Sequence, residues 1–423
     1  MNELTTFFVA FTLLVFIANH IFTWRAWFTW KPDEVTNDEK PSVAILVPAF
    51  NEEVNIIKSI ESMLRQDYEN LTIIVINDGS TDNTFNIVKD HFNMIYNDTN
   101  VHKHNNIVLV NKENGGKGSA LNLGFENTNA EWVVCVDGDT ILEKHAVTTM
   151  ISKRRKGVDA IASMVGIVNG LKFDDNHEII EKTIPKGFWA RVQWAEYNRS
   201  YSLLRHSMKD LNAVTVIPGC CSMLSRKAML ETGGYKDNHL GEDMEITLNV
   251  HRQGGDVQFL SETLSWTEAP DNIRDLGKQR VRWFRGALQS FIAYKDLMFR
   301  KENKFFSWII LPYVWLSDIC GAWIELIGWI VAIYTIVTTS YDFTFFFILW
   351  GFIMLCHYIN LMMSMYFIHR KLDKTSGKKI ILLIALLEGV TYHYLYVYWM
   401  LKAHIMELFS VKREWNKLDR KGF

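Results

Sequence analysis

A doubly wound α/β body joined to membrane helices is the fold class that three features of this 423-residue chain predict. Apolar, β-branched runs alternate with helical-period segments between residues 41 and about 300. Polar residues collect where those runs end, as they do at the strand ends of an open α/β sheet. Charge almost vanishes near both termini. Residues 6–23 carry no Asp, Glu, Lys or Arg, and Phe305–His369 carries three charged residues, Asp318, Glu325 and Asp342.

The elements follow in order. SVAILVPAF (42–50) is a buried-strand pattern, and residues 54–66 have apolar side chains at helical spacing. LTIIVINDG (71–79) is a second strand. Ser80-Thr81-Asp82 caps a helix beginning near Asn83. NIVLVN (106–111) is a third strand, residues 117–128 a helix, and EWVVCVDGDT (131–140) a fourth strand ending in acids. Helices between successive strands predict a mostly parallel sheet. IPGCC (217–221) leads into a strand-like SMLS, and Glu242-Asp243 opens an amphipathic helix.

The apolar ends read as membrane segments. Residues 6–23 are long enough to cross about 30 Å of hydrocarbon as a helix. The flanking Trp24-Arg25-Ala26-Trp27 favours a retained anchor (1–30) over a hydrophobic hairpin or a cleaved leader. Phe305–Thr339 begins as an interfacial or broken helix around Pro312 and then crosses. Asp342 sits in a turn, residues 343–368 cross again, and a last block spans about 380–409. Membrane helices thus occupy 305–410, followed by a basic tail, 411–423. The basic loop 369–379 and that tail both call for the cytosolic side, which one crossing between them does not allow. Either the last block re-enters or the rule fails there. Glu325 and Glu388 either line a polar path or are neutral or paired between helices.

Lys+Arg of 45 against Asp+Glu of 47 gives a net charge of −2, which excludes a strongly basic nucleic-acid binder. Five scattered cysteines form neither a zinc pattern nor a disulfide framework. With the loop 369–379 inside, the body (41–300) lies in the reducing cytoplasm. The chain reads as a multi-pass protein of the cell membrane, in contact with lipid.

Candidate site residues gather at strand ends. Asn51 and Glu52 follow the first strand, Asp78 and Gly79 the second, and Asp137-Gly138-Asp139 the fourth. Neither a G-x-G-x-x-G nor a G-x-x-x-x-G-K-[ST] sequence is present. Asn114-Gly115-Gly116-Lys117-Gly118 instead offers backbone N–H groups and Lys117 to a phosphate. Asp137 and Asp139 suit one hard cation that would neutralise a diphosphate; the alternative is an Asx turn. Glu242 and Asp243, at a helix N-terminus, suggest a base beside a cap, with the helix dipole lowering the carboxylate pKa. In Gln279-Arg280-Val281-Arg282-Trp283 the two arginines cannot face the same way, so one grips phosphate and the other a carboxylate. Trp283 offers a flat face to a sugar or to a packed helix. The alternative is a basic amphipathic helix lying on the membrane.

Together these blocks resemble the processive, membrane-embedded family 2 glycosyltransferases, inverting enzymes of GT-A fold that include the bacterial poly-N-acetylglucosamine, hyaluronan, chitin and cellulose synthases. VPAFNE and INDGSTDNT resemble the donor-binding start, NGGKGSALNLG the glycine-lysine loop, DGD the metal-binding acids, GED the acidic motif whose last Asp is the base, and QRVRW the Q-x-x-R-W motif. The departures are Gly138 for alanine and Gly241 for threonine. The resemblance implies a UDP-sugar donor bound through Asn51, Glu52, Asp78, Gly79, Lys117, Asp137, Asp139, Gln279, Arg280 and Arg282. It implies Mg²⁺ or Mn²⁺ on Asp139 and Asp137, and catalysis by Asp243 with Glu242. A growing polysaccharide would lie near Cys220, Cys221 and Trp283, although both cysteines also suit a small-residue core. UDP-N-acetylglucosamine polymerised through β-1,6 links is the preferred reading, with a hyaluronan- or chitin-like polymer or a single glycolipid linkage as rivals. Small accessory membrane subunits and export proteins are family expectations.

Overall fold

In the computed structural model, residues 3–94, 101–174, 177–237, 239–339, 343–369, 383–384, 388–412 and 422 are described. Helix α1 (Glu3–Thr29) precedes β1 (Val43–Ala49), α2 (Ile56–Leu64), β2 (Leu71–Asp78), α3 (Thr84–His91), β3 (Val101–His104), β4 (Ile107–Lys112), α4 (Lys117–Glu126), β5 (Trp132–Cys135), β6 (Thr140–Leu142), α5 (Ala146–Ser152) and β7 (Ala160–Ile167). A small hairpin, β8 (Leu171–Phe173) and β9 (Ile179–Lys182), leads into α6 (Phe188–Arg199), a π-helical turn over Ser200–Arg205 and the short α7 (His206–Met208). Then come β10 (Ser222–Ser225), α8 (Arg226–Thr232), α9 (Glu242–Arg252), β11 (Val257–Thr267) and α10 (Ile273–Ala293).

Nine strands form one sheet in the order β3-β4-β2-β1-β5-β10-β7-β11-β6. Period-2 alternation sorts its side chains into two cores, because each strand presents successive residues to opposite faces. Ala44, Leu46, Ile74 and Ile76 pack on one face, and Val43, Ile45, Val47, Ile73 and Val75 on the other. Both faces are covered, which explains why β1 and β2 read as unbroken apolar runs.

The sheet is mixed, not mostly parallel. The pairs β4–β2, β2–β1, β1–β5 and β7–β11 are parallel, whereas β3–β4, β5–β10, β10–β7 and β11–β6 are antiparallel. Helical crossovers enforce parallel pairing where they occur. Strand β3 instead joins β4 through Asn105-Asn106, with Asn105 at φ 52°, a two-residue hairpin that reverses the chain. Strands β10 and β6 arrive through irregular loops and insert in the opposite sense. The expected fourth strand also divides: β5 stops at Cys135, and β6 continues on the far edge of the sheet. The Asp137–Asp139 segment is the connection between them, closed by Thr140 N donating to Asp137 O at 3.1 Å.

C-terminal to α10, π-helical turns at Phe306–Ile310 and Trp315–Cys320 flank α11 (Leu311–Val314), and α12 (Gly321–Thr339) continues the same helical run. Within it, Phe306–Tyr334 is the one helix among the described residues found long and apolar enough to cross a membrane. Its beginning packs on the α/β body: Phe306, Ile310 and Val314 share a core with Met244, Leu248, Phe291 and Phe22. Helices α13 (Phe343–His369) and α14 (His393–Leu408) follow, with a π-helical turn at Glu388–Tyr392 before α14. Glu388 ion-pairs with Arg199 at 2.5 Å, and Glu325 meets His393 at 3.0 Å. The turn at Asp342, nearly all of the basic loop and most of the basic tail lie outside the described residues.

Candidate active site

A cavity of about 930 Å³ opens beyond the strand ends of β1, β2 and β5 and extends beneath α10 towards Asp318 and Tyr396. The loops after β1 and β2 build one wall. Asn51, at φ 59°, donates its N–H to Ser80 Oγ at 3.0 Å, and its Oδ1 accepts from Thr81 N at 2.7 Å and Asp82 N at 3.2 Å. The Asp82 carboxylate accepts from Thr84 N at 3.0 Å just ahead of α3, whose N-cap residue is Asn83, with no side-chain bond of its own, rather than the expected Ser80-Thr81-Asp82. Asn51 thus ties two loops together, while Glu52, Asp78 and Gly79 line the cavity beside it.

The glycine-lysine loop folds onto Asp78. Gly115 N and Gly116 N each donate to its carboxylate at 2.9 Å, and Lys112 Nζ approaches at 2.7 Å. These N–H groups therefore serve an internal carboxylate, in contrast to the expectation that they meet phosphate. Gly79 is required at this junction: its φ is +68°, and a Cβ would fall 2.6 Å from Asn114 N.

Lys117, the first residue of α4, joins the two acidic motifs. Its Nζ lies 2.7 Å from Asp137 Oδ1 and 2.9 Å from Glu242 Oε1. Burial opposes its charge, yet Asp137 and Glu242 prevail and hold the ammonium pKa well above its ordinary value. Burial also works to raise Glu242, but Lys117 and Arg282 outweigh it and keep that carboxyl low. Asp243 moves the other way. Burial and the neighbouring Glu242 charge push it up, against Lys117, the Met244 N–H and Arg282. This corrects the dipole-based expectation of a lowered carboxylate: desolvation and like charge exceed the helix N-terminus here. Asp137 is also raised, by burial and by Asp139, with Lys117 opposing.

Helix α10 supplies the opposite wall. Asn272 caps it by accepting from Asp275 N at 2.9 Å. Gln279, Arg282 and Trp283 line the cavity. Arg280 points away, as the helical spacing requires, and is fully buried. It donates to Glu196 at 2.6 Å and to Tyr392 Oη at 3.1 Å, and its guanidinium lies 4.3 Å from the Trp283 ring centre. Arg280 therefore braces Trp283 and joins α10 to α6 and the C-terminal helices. Cys220 lines the cavity, whereas Cys221 is fully buried in the core beside Met223.

Of the residues singled out from sequence, the structure brings twelve to the cavity wall: Glu52, Asp78, Gly79, Lys117, Asp137, Asp139, Cys220, Glu242, Asp243, Gln279, Arg282 and Trp283. Asn51, Arg280 and Cys221 stand behind it. Tyr197, Tyr201 and Arg205 also line the cavity and were not legible in the sequence. The signal of Tyr201 and Arg205 is weak, because the π-helical turn that holds them, after α6, breaks the 3.6-residue period.

These features define a class: a sugar-transferase fold with an acid-rich cleft at the strand ends. Residues 44–233, from β1 to α8, match the family described as Glycosyl transferase family 2. Glu242, Asp243 and the Gln279–Trp283 motif lie beyond that segment. At the family level the chain resembles the poly-β-1,6-N-acetyl-D-glucosamine synthases. The synthase of Staphylococcus aureus (strain COL) is 27% identical over 298 residues, covering 70% of this chain and 66% of that protein, just under two thirds of its length. The Staphylococcus epidermidis synthase is 26% identical over 304 residues, covering 72% and 67%. Among solved structures, the mannosyltransferase PcManGT from Pyrobaculum calidifontis, in complex with GDP-Man and Mn²⁺, superposes with a TM-score of 0.63 at 16% identity, over 97% of this chain and all of that one. That likeness establishes the GT-A-like fold.

Proposed function

We propose that this protein is a membrane-embedded inverting glycosyltransferase that polymerises N-acetylglucosamine from UDP-N-acetylglucosamine into a β-linked, β-1,6 polysaccharide. The observation that carries the reading is Lys117 held between Asp137 and Glu242, with Asp243 adjacent on the same wall. This arrangement joins a pyrophosphate-facing acid pair to a candidate base in one cleft. The choice of sugar and linkage follows the names of the staphylococcal relatives.

In this reading the donor lies against Asp78 and Gly79, with its diphosphate towards Asp137, Asp139 and Arg282. Among the described residues no group of three or more His, Cys, Asp or Glu side chains is placed to hold a metal. Two carboxylates nevertheless suit Mg²⁺ or Mn²⁺, which commonly take one or two protein acids and complete their shell with phosphate and water. The repulsion that Asp139 exerts on Asp137 is what such a cation would relieve. When bound, the cation would stabilise charge on the departing nucleoside diphosphate. Asp243 takes the proton from the acceptor hydroxyl, and burial and Glu242 raise its pKa, which makes it a stronger base than an ordinary carboxylate. The hydroxyl oxygen attacks the anomeric carbon from the face opposite the nucleotide, so an α-linked donor yields a β-link. Glu242 stays ionised and keeps Lys117 in place. Trp283, braced by Arg280, supports the acceptor sugar beside Cys220.

The helical run Phe306–Tyr334, with α1 and α13, holds the body at a membrane, and the cavity's extension to Asp318 and Tyr396 leads product among the helices. The test is to supply protein in lipid nanodiscs with labelled UDP-N-acetylglucosamine and Mg²⁺ or Mn²⁺, then size and linkage-type the product. A long β-1,6 polymer is expected. One sugar on lipid would replace the reading by glycolipid synthesis. Transfer from a different nucleotide sugar only would overturn the donor choice and retain the chemistry.

A further inference from the structure

A second cavity, of about 390 Å³, lies in the seam between α10 and α14. Arg274, Lys278, Arg282 and Arg285 recur on α10 at the three- and four-residue steps that define one helix face. Lys402 faces them from α14, so five cationic residues and no acidic one line the cavity. Trp399, Met406, Val281 and Leu240 supply its apolar part. Gly277 lets the helices approach, since a Cβ there would fall 2.8 Å from Trp399 Nε1.

Three of the cations are already engaged. Lys278 meets Asp275 at 2.7 Å, and Arg285 meets Glu407 at 2.6 Å. Arg282 reaches the Leu240 carbonyl at 3.4 Å. Arg274 and Lys402 are exposed and make no hydrogen bond or close salt bridge among the described residues, Arg274 feeling the neighbouring Asp275 carboxylate only at longer range. Positive charge over an apolar floor selects an amphipathic anion. The seam is also at a membrane rim in the reading given above: Trp323 of α12 donates to His404 of α14 at 3.0 Å, and Ile405, Leu408 and Phe409 are exposed nearby.

We infer that this cavity binds the phosphate headgroup of an anionic phospholipid, with Arg274 and Lys402 as its exposed cations and Trp399 and Met406 against the acyl base. The inference rests on the membrane placement of the C-terminal helices. Arg282 lines this cavity and the catalytic one alike, so an occupied headgroup site shares a cation with the donor site and is felt there.

The experiment uses full-length protein in nanodiscs of phosphatidylcholine containing a minor fraction of phosphatidylglycerol. Native mass spectrometry of the released protein reads the retained lipid. Wild type is expected to keep phosphatidylglycerol in preference to phosphatidylcholine. Arg274→Gln with Lys402→Gln is expected to weaken that preference about 30-fold, from roughly 1 kcal/mol per cation near a charged surface, while leaving transfer in pure phosphatidylcholine unchanged. Equal retention of both lipids by wild type, or full retention by the double variant, would overturn the inference. So would displacement by soluble glycerol phosphate as effective as by lipid, which would make the site one for free phosphate. Extraction of the protein from membranes by alkaline carbonate would instead remove the membrane reading itself, and so separates the two failures.

Discussion

Replacing Lys117 with Met tests whether one ammonium holds the two acidic motifs together. The side chain is largely enclosed, with Lys117 13%, Asp137 32% and Glu242 4% exposed. At 2.7 and 2.9 Å, each contact corresponds to about 6 kcal/mol at an effective dielectric of about 20. Most of that is offset by the desolvation of the ions, so the net loss expected on removing one partner of a buried pair is about 3–5 kcal/mol. The partial exposure of Asp137 favours the lower end, near 3 kcal/mol. In a domain of this size that corresponds to a fall of about 6–10 °C in Tm, compared at a fixed scan rate. If the acids must also be held in place for transfer, kcat/KM falls about 100-fold. The assay is thermal unfolding in detergent alongside initial rates with labelled donor. Combining Lys117→Met with Glu242→Gln removes one of the two orphaned charges, the more deeply buried one. The double variant should therefore recover at least about 1 kcal/mol relative to additivity. An unchanged Tm in Lys117→Met, or strictly additive losses in the double variant, would refute the reasoning.

Further outcomes follow from the same geometry. Gly219→Ala places a Cβ 2.5 Å from Lys117 Nζ; it should depress transfer at least about tenfold while the fold, read by circular dichroism, persists, because the lysine tip must move. The raised pKa of Asp243 means that transfer should fall as pH drops through a value above that of an unperturbed aspartate, with a slope of one proton. The same shift has a stability consequence. A carboxyl raised in the folded state contributes stability below its unfolded pKa and loses it as pH rises through the folded value. Asp243→Asn should thus raise Tm near neutral pH, and the gain should disappear in acid; an equal gain at both pH values would contradict the shift. Glu196→Gln leaves Arg280 buried without its carboxylate partner and should cost about 3 kcal/mol, visible as a lower Tm. Adding Arg280→Met should restore part of it, and an unchanged Tm in Glu196→Gln would show that the pair bears no strain of burial.

The sequence carries much of the site because its residues sit at strand ends, where local pattern and function coincide. Asp78, Asp137, Asp139 and Lys117 are each found by following an apolar run to its end or a glycine turn to its helix. Helical arithmetic also separates Arg280 from Arg282 on sequence spacing alone. It does not say which of them faces the cleft, since Arg280 is buried by Glu196 and Tyr392, remote residues on other helices. The mixed sheet is illegible for a related reason. Strand direction depends on how the chain returns, and the irregular routes into β10 and β6 have no periodic signal. Cys220 and Cys221 look equivalent as neighbours, yet the turn before β10, closed by Cys221 N donating to Pro218 O at 3.1 Å, puts Cys221 in the core and leaves Cys220 at the cavity. Asp243 shows where an electrostatic rule read alone misleads: the helix dipole is present, but burial and Glu242 are larger.

The most direct measurement of the catalytic claim pairs donor binding with transfer in Asp243→Asn. The protein is held in nanodiscs with UDP-N-acetylglucosamine and divalent cation; bound donor is read by equilibrium dialysis and product by chromatography. The account predicts donor affinity within about threefold of wild type and transfer lowered by at least about 100-fold, the range of a lost general base. Turnover at the wild-type rate with normal donor binding would contradict it.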